Sequence, residues 1–298
     1  MSARVALSVA GSDPGGGAGV QADLKTFGAL GVFGTAVVTA LTAQNTRGVQ
    51  GVHVVPAAFV AQQLAVLLED VTVHATKIGM LGDVDVVRVV AAVVARGGVG
   101  PVVLDPVMVA TSGDRLLSAG AVAAVRDELL PLADLVTPNV AEAAVLLGTD
   151  PARGVQEAVE QAEELVRRSG TAVLLKGGHL GGGPDSVDVL VEPGRTTLTS
   201  RPRVDTSATH GTGCTLSSAI AAHAALAPGS AGWSTSVEAA RDYLQGALLG
   251  GRSLGVGHGH GPLDHFHRTT ATSPPAVPMT VVEDSGTLDH GGGGGGGA

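Results

Sequence analysis

Short apolar segments typical of β-strands alternate with longer helix-like segments along nearly the whole chain. Repeated strand-then-helix units with short connections predict one doubly wound, mostly parallel sheet with helices on both faces. The composition agrees, since 44% of residues are apolar but only 2% are aromatic. Val, Leu and Ala must therefore build the core, which suits parallel strands that are covered on both faces.

The segment boundaries follow from the hydrophobic pattern and the turn residues. We predict strands at residues 4–10, 34–44, 75–80, 101–107, 133–139 and 172–178, a short edge strand at 49–55, and a hairpin formed by 188–193 and 196–204. We predict helices at residues 21–30, 56–70, 84–96, 119–130, 140–147, 155–169, 215–226 and 236–254.

The charge and the cysteine content limit the partners and the compartment. A formal net charge of −9 argues against nucleic acid or an anionic membrane, because both are bound through basic surfaces. The chain has no signal-like N-terminus and no apolar run of about 18 residues. The single cysteine, Cys214, excludes an internal disulfide. We expect a soluble cytoplasmic enzyme or binding protein.

The glycine-rich stretch AGSDPGGGAGVQADLK, residues 10–25, follows the first strand and opens a helix. Gly17, Gly19 and Ala22 match the G-x-G-x-x-A dinucleotide fingerprint. Two features oppose a Rossmann oxidoreductase. The loop between strand and fingerprint is too long, and TALTAQNT at residues 39–46 lacks the acid that would hold the ribose.

A second glycine-rich turn, Thr209-His210-Gly211-Thr212-Gly213-Cys214, leads directly into an Ala-rich helix. Glycines let successive backbone N–H groups point into one hollow, and the helix dipole adds positive potential there. The turn predicts an anion hole for a transferring phosphoryl group, although a helix start with only a packing role is the alternative. The chain has no Gly-Lys pair and hence no P-loop.

Cys214 lies in the first turn of that helix. We expect the helix N-terminus to lower the pKa of its thiol toward neutrality, so that it deprotonates a substrate hydroxyl or acts as a nucleophile. The alternative is a small buried hydrophobic residue.

Several notable residues follow predicted strands, at the edge of the sheet where α/β proteins bind ligands. They are Asp13, Gln44, Met80, Asp105, Asn139 and Lys176.

The chain resembles the hydroxymethylpyrimidine/phosphomethylpyrimidine kinase family of thiamine biosynthesis, within the ribokinase-like superfamily. The likeness runs from about Val5 to His267 and rests on motifs that occur in the family's order. These motifs are AGSDPGGGAGVQADLK, TALTAQNT, KIGML, LDPVM, TPNVAEA, LLKGGH, THGTGCT and GHGHGPLDHFH. The resemblance implies a three-layer α/β/α kinase domain over residues 1–268. We exclude residues 269–298 as a disordered tail, since its Thr, Ser, Pro and Gly cannot form a core.

The resemblance implies that Gly11, Asp23 and Gln44 face an aminopyrimidine, and that Met80 and Val107 supply apolar walls. A carboxylate and a carboxamide can pair with an amidine-like edge, which is consistent with those roles. From the residue pattern alone, Asp23 is equally well explained as an exposed acid in the first turn of a helix.

The nucleotide and metal side is assigned to Asp105, Asn139, Glu142 and Lys176. Asn139 and Glu142 lie one helical turn apart, and Mg²⁺ commonly binds between carboxylates and phosphates through water. We expect Asp105 and Glu142 to hold the metal in this way, and Lys176 to contact ATP phosphates. The TPN-x-x-E sequence fits a helix capping box equally well.

The resemblance implies ATP-dependent phosphorylation of 4-amino-5-hydroxymethyl-2-methylpyrimidine and then of its monophosphate, by a homodimer. Pyridoxal kinase and a catalytically silent pyrimidine-binding regulator are the alternatives. One departure from the family is Thr111, where many relatives carry a lysine.

Overall fold

The computed structural model describes residues 2–108, 118–178, 180, 182–229 and 232–269. The strands are β1 (Val5–Ser12), β2 (Phe33–Asn45), β3 (Gly48–Val54), β4 (Ala75–Ile78), β5 (Val102–Leu104), β6 (Leu135–Val136), β7 (Ala172–Leu175), β8 (Asp185–Glu192) and β9 (Arg195–Pro202). The helices are α1 (Gly19–Ala29), α2 (Ala57–Asp70), α3 (Val84–Arg96), α4 (Ala119–Ala124), α5 (Val140–Leu147), α6 (Val155–Ser169), α7 (Thr212–Leu226) and α8 (Ser234–Gly251).

All nine of these strands belong to one sheet, in the order β3-β2-β1-β4-β5-β6-β7-β8-β9. The six strands from β2 to β7 along this order pair in parallel. The short edge strand β3 and the β8–β9 hairpin pair antiparallel, as predicted. The prediction of a mostly parallel, doubly wound sheet is thus confirmed.

Helices cover both faces of the sheet because side chains alternate between faces along each strand. Leu7 and Val9 of β1 pack into the core beneath α2 to α6. Ala6, which precedes them, packs on the other face with α1, α7 and α8. Ala is abundant in α7, where its small side chain lets this buried helix lie close to the sheet.

The chain runs from β1 to β2 on one side and later places β4 on the other side of β1. This reversal makes a crevice beyond the carboxyl ends of β1 and β4, where α/β sheets commonly bind ligands. A Cβ atom added at Gly11 would lie 2.6 Å from Met80 Cε, so the two strand ends are in close contact.

The helix predicted at residues 119–130 is wrong in its second half. Regular α-helix ends at Ala124, and residues Val125–Leu129 form a π-helical turn in which Leu130 N–H donates to the Val125 carbonyl. Pro131 then occupies a short 3₁₀ turn. Proline has no N–H and its ring clashes with the preceding turn, so a regular helix cannot continue through it.

Helix α7 starts three residues earlier than predicted, because Gly211 forms its N-cap. Thr111, the final histidine of the LLKGGH motif, and residues 270–298 of the predicted tail lie outside the described residues. Of the helices that the structure describes, none combines the length and apolarity needed to cross a membrane.

Candidate active site

The predicted anion hole lies at the start of α7; residues Gly211–Cys214 are called the phosphate cradle below. Gly211 caps the helix with φ of 85°, a conformation that glycine adopts without strain. A Cβ at Gly211 would overlap the carbonyl oxygen of Gly17. Thr212 N–H is directed at the Thr209 carbonyl at 3.3 Å, so this N–H already has a partner. The next N–H groups of the first turn have no acceptor within the helix.

A lysine and an aspartate from neighbouring strands lie beside the cradle. A Cβ added at Gly213 would lie 3.2 Å from Lys176 Nζ and 3.4 Å from Asp105 Oδ2. Lys176 Nζ is 2.7 Å from Asp105 Oδ1. Burial alone would lower the pKa of Lys176, but Asp105 and Glu142 raise it, so the ammonium is charged. The predicted phosphate-binding cation therefore lies beside the phosphate cradle.

Hydroxyl groups fix the Asp105 carboxylate, which is nearly inaccessible to solvent. The Thr137 hydroxyl donates to Oδ1 at 3.2 Å, and the Ser217 hydroxyl lies 3.4 Å from Oδ2. These partners come from the end of β6 and the second turn of α7, and Lys176 follows β7, so partners from three elements hold one carboxylate in place.

Asn139 and Glu142 form the capping box that the sequence allowed as an alternative. Asn139 Oδ1 accepts from Glu142 N–H at 2.9 Å, and Glu142 Oε2 accepts from Asn139 N–H at 2.8 Å. Glu142 Oε2 also lies 3.9 Å from Lys176 Nζ. Capping therefore does not remove Glu142 from the site, because the box itself directs the carboxylate toward Lys176.

Two carboxylates face a single ammonium in this part of the site. Burial raises the pKa of Glu142 to about 7, Lys176 opposes the rise, and Asp105 adds to it. Burial is the main cause of the rise, and the attraction of Lys176 does not cancel it. Within the described part of the chain, no three His, Cys, Asp or Glu side chains form a metal site on their own. Oxygen ligands with uncompensated negative charge, completed by phosphate, nonetheless fit Mg²⁺.

The expectation of a lowered pKa at Cys214 is wrong for the free protein. Cys214 is half-buried as a residue. Burial raises its pKa to about 11, and the nearby carboxylates of Asp23 and Asp105 act in the same direction. Lys77 and the Gly19 N–H favour the thiolate but are outweighed. The sequence could not reveal this, since both carboxylates approach Cys214 only through the fold.

Asp23 is fully buried, not an exposed acid of a helix turn. Lys77 Nζ contacts both of its oxygens at 2.9 Å. The hydroxyls of Ser8 and Ser218 each donate to one of them at 2.6 Å. These four contacts use the acceptor capacity of the carboxylate. A direct contact of Asp23 with a pyrimidine stays a prediction that would require one of these bonds to break.

The other predicted pyrimidine residues lie at the crevice. Gly11 is buried against Met80, whose side chain is 7% exposed. Gln44 is half-buried, and its Nε2 lies 3.3 Å from His210 Nε2, immediately before the phosphate cradle. Val107 is half-buried, and its backbone N–H donates to the Asp105 carbonyl.

The sequence alone gives no role in the site to Lys77, Asp13 or His210. Lys77 was part of a predicted apolar strand; a charge at the centre of such a strand was the available signal for a buried ion pair. Asp13 was noted only for its place at a strand end. His210 was noted only as part of the glycine-rich turn.

Comparisons with known proteins agree with this geometry. The family model described as phosphomethylpyrimidine kinase matches residues 13–264. The hydroxymethylpyrimidine/phosphomethylpyrimidine kinase of Escherichia coli (strain K12) is 50% identical over 262 residues, which cover 88% of this chain and 97% of that protein.

Two solved structures share the fold. Phosphomethylpyrimidine kinase from Clostridium difficile 630 is 35% identical with a TM-score of 0.70, covering 81% of this chain and 97% of that one. Bacillus subtilis pyridoxal kinase, solved as an ADP complex, is 33% identical with a TM-score of 0.80, covering 89% and 98%. The predicted ribokinase-like fold is confirmed, and the chain belongs to the phosphomethylpyrimidine kinase family.

Proposed function

We propose that this protein transfers the γ-phosphoryl group of ATP to the hydroxymethyl group of 4-amino-5-hydroxymethyl-2-methylpyrimidine, and then phosphorylates the monophosphate to the diphosphate. The observation that carries the proposal is the contact of the Lys176–Asp105 pair with Gly213 in the phosphate cradle. This arrangement places an ammonium group and helix N–H groups around one hollow. The names of the relatives supply the pyrimidine as the acceptor.

Phosphoryl transfer depends mainly on positioning and on stabilising the charge of the transferring group. The N–H groups of the phosphate cradle donate to oxygens of that group, with Lys176 as the neighbouring cation. Because Asp105 holds the Lys176 ammonium at 2.7 Å, the cation is in place before ATP binds. Preorganised charge of this kind avoids reorganisation during the reaction.

Asp105 and Glu142 are the residues that would hold Mg²⁺, and Asn139 supports Glu142 through the capping box. The metal would supply charge neutralisation for the ATP phosphates. The mixed charge of the site, with one lysine between two acids, supports this assignment.

Cys214 is proposed to contact the reacting hydroxyl and to accept its proton. With a pKa near 11 in the free protein, only a small fraction of the thiol is ionised at neutral pH. In a loose transition state the hydroxyl loses its proton late, which lowers the demand on the base. Gly11, Gln44, Met80 and Val107 are proposed to bind the pyrimidine ring, with Gln44 as the polar contact.

Pyridoxal kinase is the second candidate, because the Bacillus subtilis enzyme of that name is 33% identical and shares the fold. Incubation with Mg·ATP and either the hydroxymethylpyrimidine or pyridoxal, followed by mass analysis of the products, distinguishes the two. We expect mono- and diphosphate of the pyrimidine and much slower turnover of pyridoxal. Faster turnover of pyridoxal would contradict the proposal, and no product with either would favour a silent pyrimidine-binding regulator.

We also propose that the protein is a homodimer and works in the cytoplasm, where ATP is supplied. Strand β3 is an edge strand, and the apolar side chains of Leu41 and Val52 on the β2–β3 pair are 51% and 42% exposed. Exposed apolar edges favour association with a second copy. Light scattering of the purified protein tests this directly.

A further inference from the structure

The Asp13 carboxylate organises the glycine loop, defined here as residues 12–18. Oδ1 accepts from Gly15 N–H at 2.8 Å, and Oδ2 accepts from Gly17 N–H at 3.1 Å and Ala18 N–H at 2.9 Å. Oδ2 also lies 2.8 Å from His210 Nε2. Burial alone would raise the pKa of Asp13, but His210 and the backbone donors hold it below its usual range. Asp13 is therefore ionised and can only accept, so His210 Nε2 carries the proton that joins them.

The glycine loop and the phosphate cradle are also packed without space between them. A Cβ at Gly17 would collide with the His210 ring, and a Cβ at Gly211 would overlap the Gly17 carbonyl oxygen. Asp13 and His210 are themselves 2% and 8% exposed. Movement of one loop therefore requires movement of the other or rupture of the buried Asp13–His210 pair.

His210 touches the predicted pyrimidine site as well. Its Nε2 is 3.3 Å from Gln44 Nε2, and the Thr42 hydroxyl lies 3.2 Å from Gln44 Oε1. Because the His210 proton points at Asp13, this ring nitrogen cannot accept from the Gln44 amide. His210 thus restricts where the Gln44 amide lies but leaves the N–H groups of that amide able to donate to a ligand.

We propose that the Asp13–His210 pair is a latch that joins the glycine loop to the phosphate cradle and couples pyrimidine binding at Gln44 to nucleotide binding at the cradle. This inference rests on the proposed function. Asp13 and His210 are positioning residues in this scheme, because they act through Gln44 and through the backbone that leads into Gly211. Binding of either substrate then favours the arrangement that the other one needs.

The test compares His210→Ala with His210→Gln, since the Nε2 of glutamine can donate from a position close to that of the histidine Nε2. His223→Ala is the control, because this second histidine lies in the last turn of α7, remote from both loops. Calorimetry measures the Kd of the hydroxymethylpyrimidine with and without a non-hydrolysable ATP analogue and Mg²⁺. We expect the analogue to tighten pyrimidine binding at least about fivefold in the wild type and in His223→Ala.

In His210→Ala we expect the ratio of the pyrimidine Kd without the analogue to the Kd with it to fall to about one. In His210→Gln we expect this ratio to return most of the way to the wild-type value. A ratio in His210→Ala equal to that of the wild type would overturn the proposal, as would a wild-type ratio of one. Hydrogen exchange of residues 13–18 without ligand gives an independent measure, and we expect it to accelerate in His210→Ala only. If the wild type fails to bind the pyrimidine, the proposed function is wrong, whereas unchanged exchange in His210→Ala rejects the latch itself.

Discussion

The ammonium group of Lys77 lies 2.9 Å from both carboxylate oxygens of Asp23, and neither side chain is exposed to solvent. Burial alone would lower the pKa of Lys77, but Asp23 raises it above its ordinary value, so the pair is ionic. Lys77 is on β4 and Asp23 is on α1, so the pair joins the sheet to the helix layer beneath the phosphate cradle.

Replacing Lys77 by methionine should destabilise the protein by about 3–5 kcal/mol, because it leaves the Asp23 charge buried without a counter-charge. The double variant Lys77→Met, Asp23→Leu should recover part of that loss, since no uncompensated charge remains but the buried Ser8 and Ser218 hydroxyls lose their acceptor. Urea denaturation of the two single variants and the double variant measures the coupling. The exposed pair Arg88–Glu128 gives the control, and Arg88→Met should leave the midpoint unchanged. Equal losses in Lys77→Met and Arg88→Met would contradict the buried ion pair.

The raised pKa of Cys214 predicts the pH dependence of its reactivity. Cys214 is the single cysteine, so alkylation by iodoacetamide reports on one thiol. The rate for the free protein should keep rising with pH beyond 9, because the thiolate forms only near pH 11. A plateau below pH 9 would show that the helix N-terminus lowers the pKa of Cys214 more than burial raises it.

If Cys214 is the proton acceptor, kcat/KM of the wild type should rise about tenfold per pH unit from pH 7 to 9, because kcat/KM reports the free enzyme, in which the thiolate fraction rises in that proportion. In Cys214→Ala we expect kcat to fall far more than pyrimidine affinity, and its pH profile to be flat. Cys214→Ser separates a positional role from a basic one, since it keeps a polar group of similar size. A wild-type profile as flat as that of Cys214→Ala would remove the base assignment.

Gln44→Ala should raise KM for the hydroxymethylpyrimidine roughly tenfold, the value of one lost hydrogen bond of about 1.4 kcal/mol. We expect kcat to change by less than about twofold, since Gln44 is proposed to contact the ring and not the transferring group. Gln63→Ala is the matched control, because the Gln63 amide bonds to the Val38 backbone instead. Steady-state kinetics with each variant provides the comparison. An unchanged KM in Gln44→Ala would remove Gln44 from the pyrimidine site.

The strand-and-helix order of the chain could be predicted because local periodicity encodes it. Helices α3, α5 and α6 begin and end at the predicted residues. The prediction of one regular helix over residues 119–130 was wrong because Pro131 also disrupts the turn that precedes it. The early start of α7 depends on the left-handed conformation of Gly211, which the close approach of Gly17 requires.

The gathering of Asp105 and Lys176 at the carboxyl edge of the sheet was predictable, because both residues directly follow strand-like segments, and the two side chains are in contact there. The candidate site was not predictable where the electrostatics depend on long-range partners. Asp23 was assigned from the family resemblance and Cys214 from its position in the first turn of a helix. Their surroundings include Lys77, which is 54 residues away from Asp23 along the chain. The effect of such partners on a pKa cannot be read from local sequence.

The Glu142 carboxyl should make stability depend on pH. Its pKa of about 7 in the folded protein exceeds the ordinary value of 4.5. Between these values the folded state holds a proton that the unfolded state lacks, so the stabilisation is present below pH 4.5 and is lost as pH rises through 7. Glu142→Gln mimics the protonated acid and can still accept from Asn139 N–H. Without ligands its melting temperature should therefore exceed that of the wild type at pH 8, and the difference should shrink toward pH 5.5.

The same substitution should reduce the stabilisation by Mg·ATP, because a neutral amide is a weaker ligand for Mg²⁺ than a carboxylate. Glu157→Gln is the control, since Glu157 also accepts a backbone N–H at a helix start but is exposed. Thermal shifts of the three proteins with and without Mg·ATP make the comparison. A pH-independent difference between Glu142→Gln and the wild type would show that Glu142 titrates normally.

Gly211→Ala tests the phosphate cradle, with Gly170→Ala as a control of matched backbone conformation. Gly211 has φ of 85° and Gly170 has φ of 75°, so alanine strains both positions by about 1–2 kcal/mol. Only at Gly211 would the added methyl group meet backbone, since no atom lies within 4 Å of a Cβ at Gly170. The cradle must then shift away from Gly17, and misaligned N–H donors cost about 100-fold or more in kcat. Kinetics and denaturation of both variants should show a stability loss in each, larger in Gly211→Ala because of the overlap with Gly17, but a rate loss in Gly211→Ala alone. Equal rates would mean that the start of α7 does not hold the transferring phosphate.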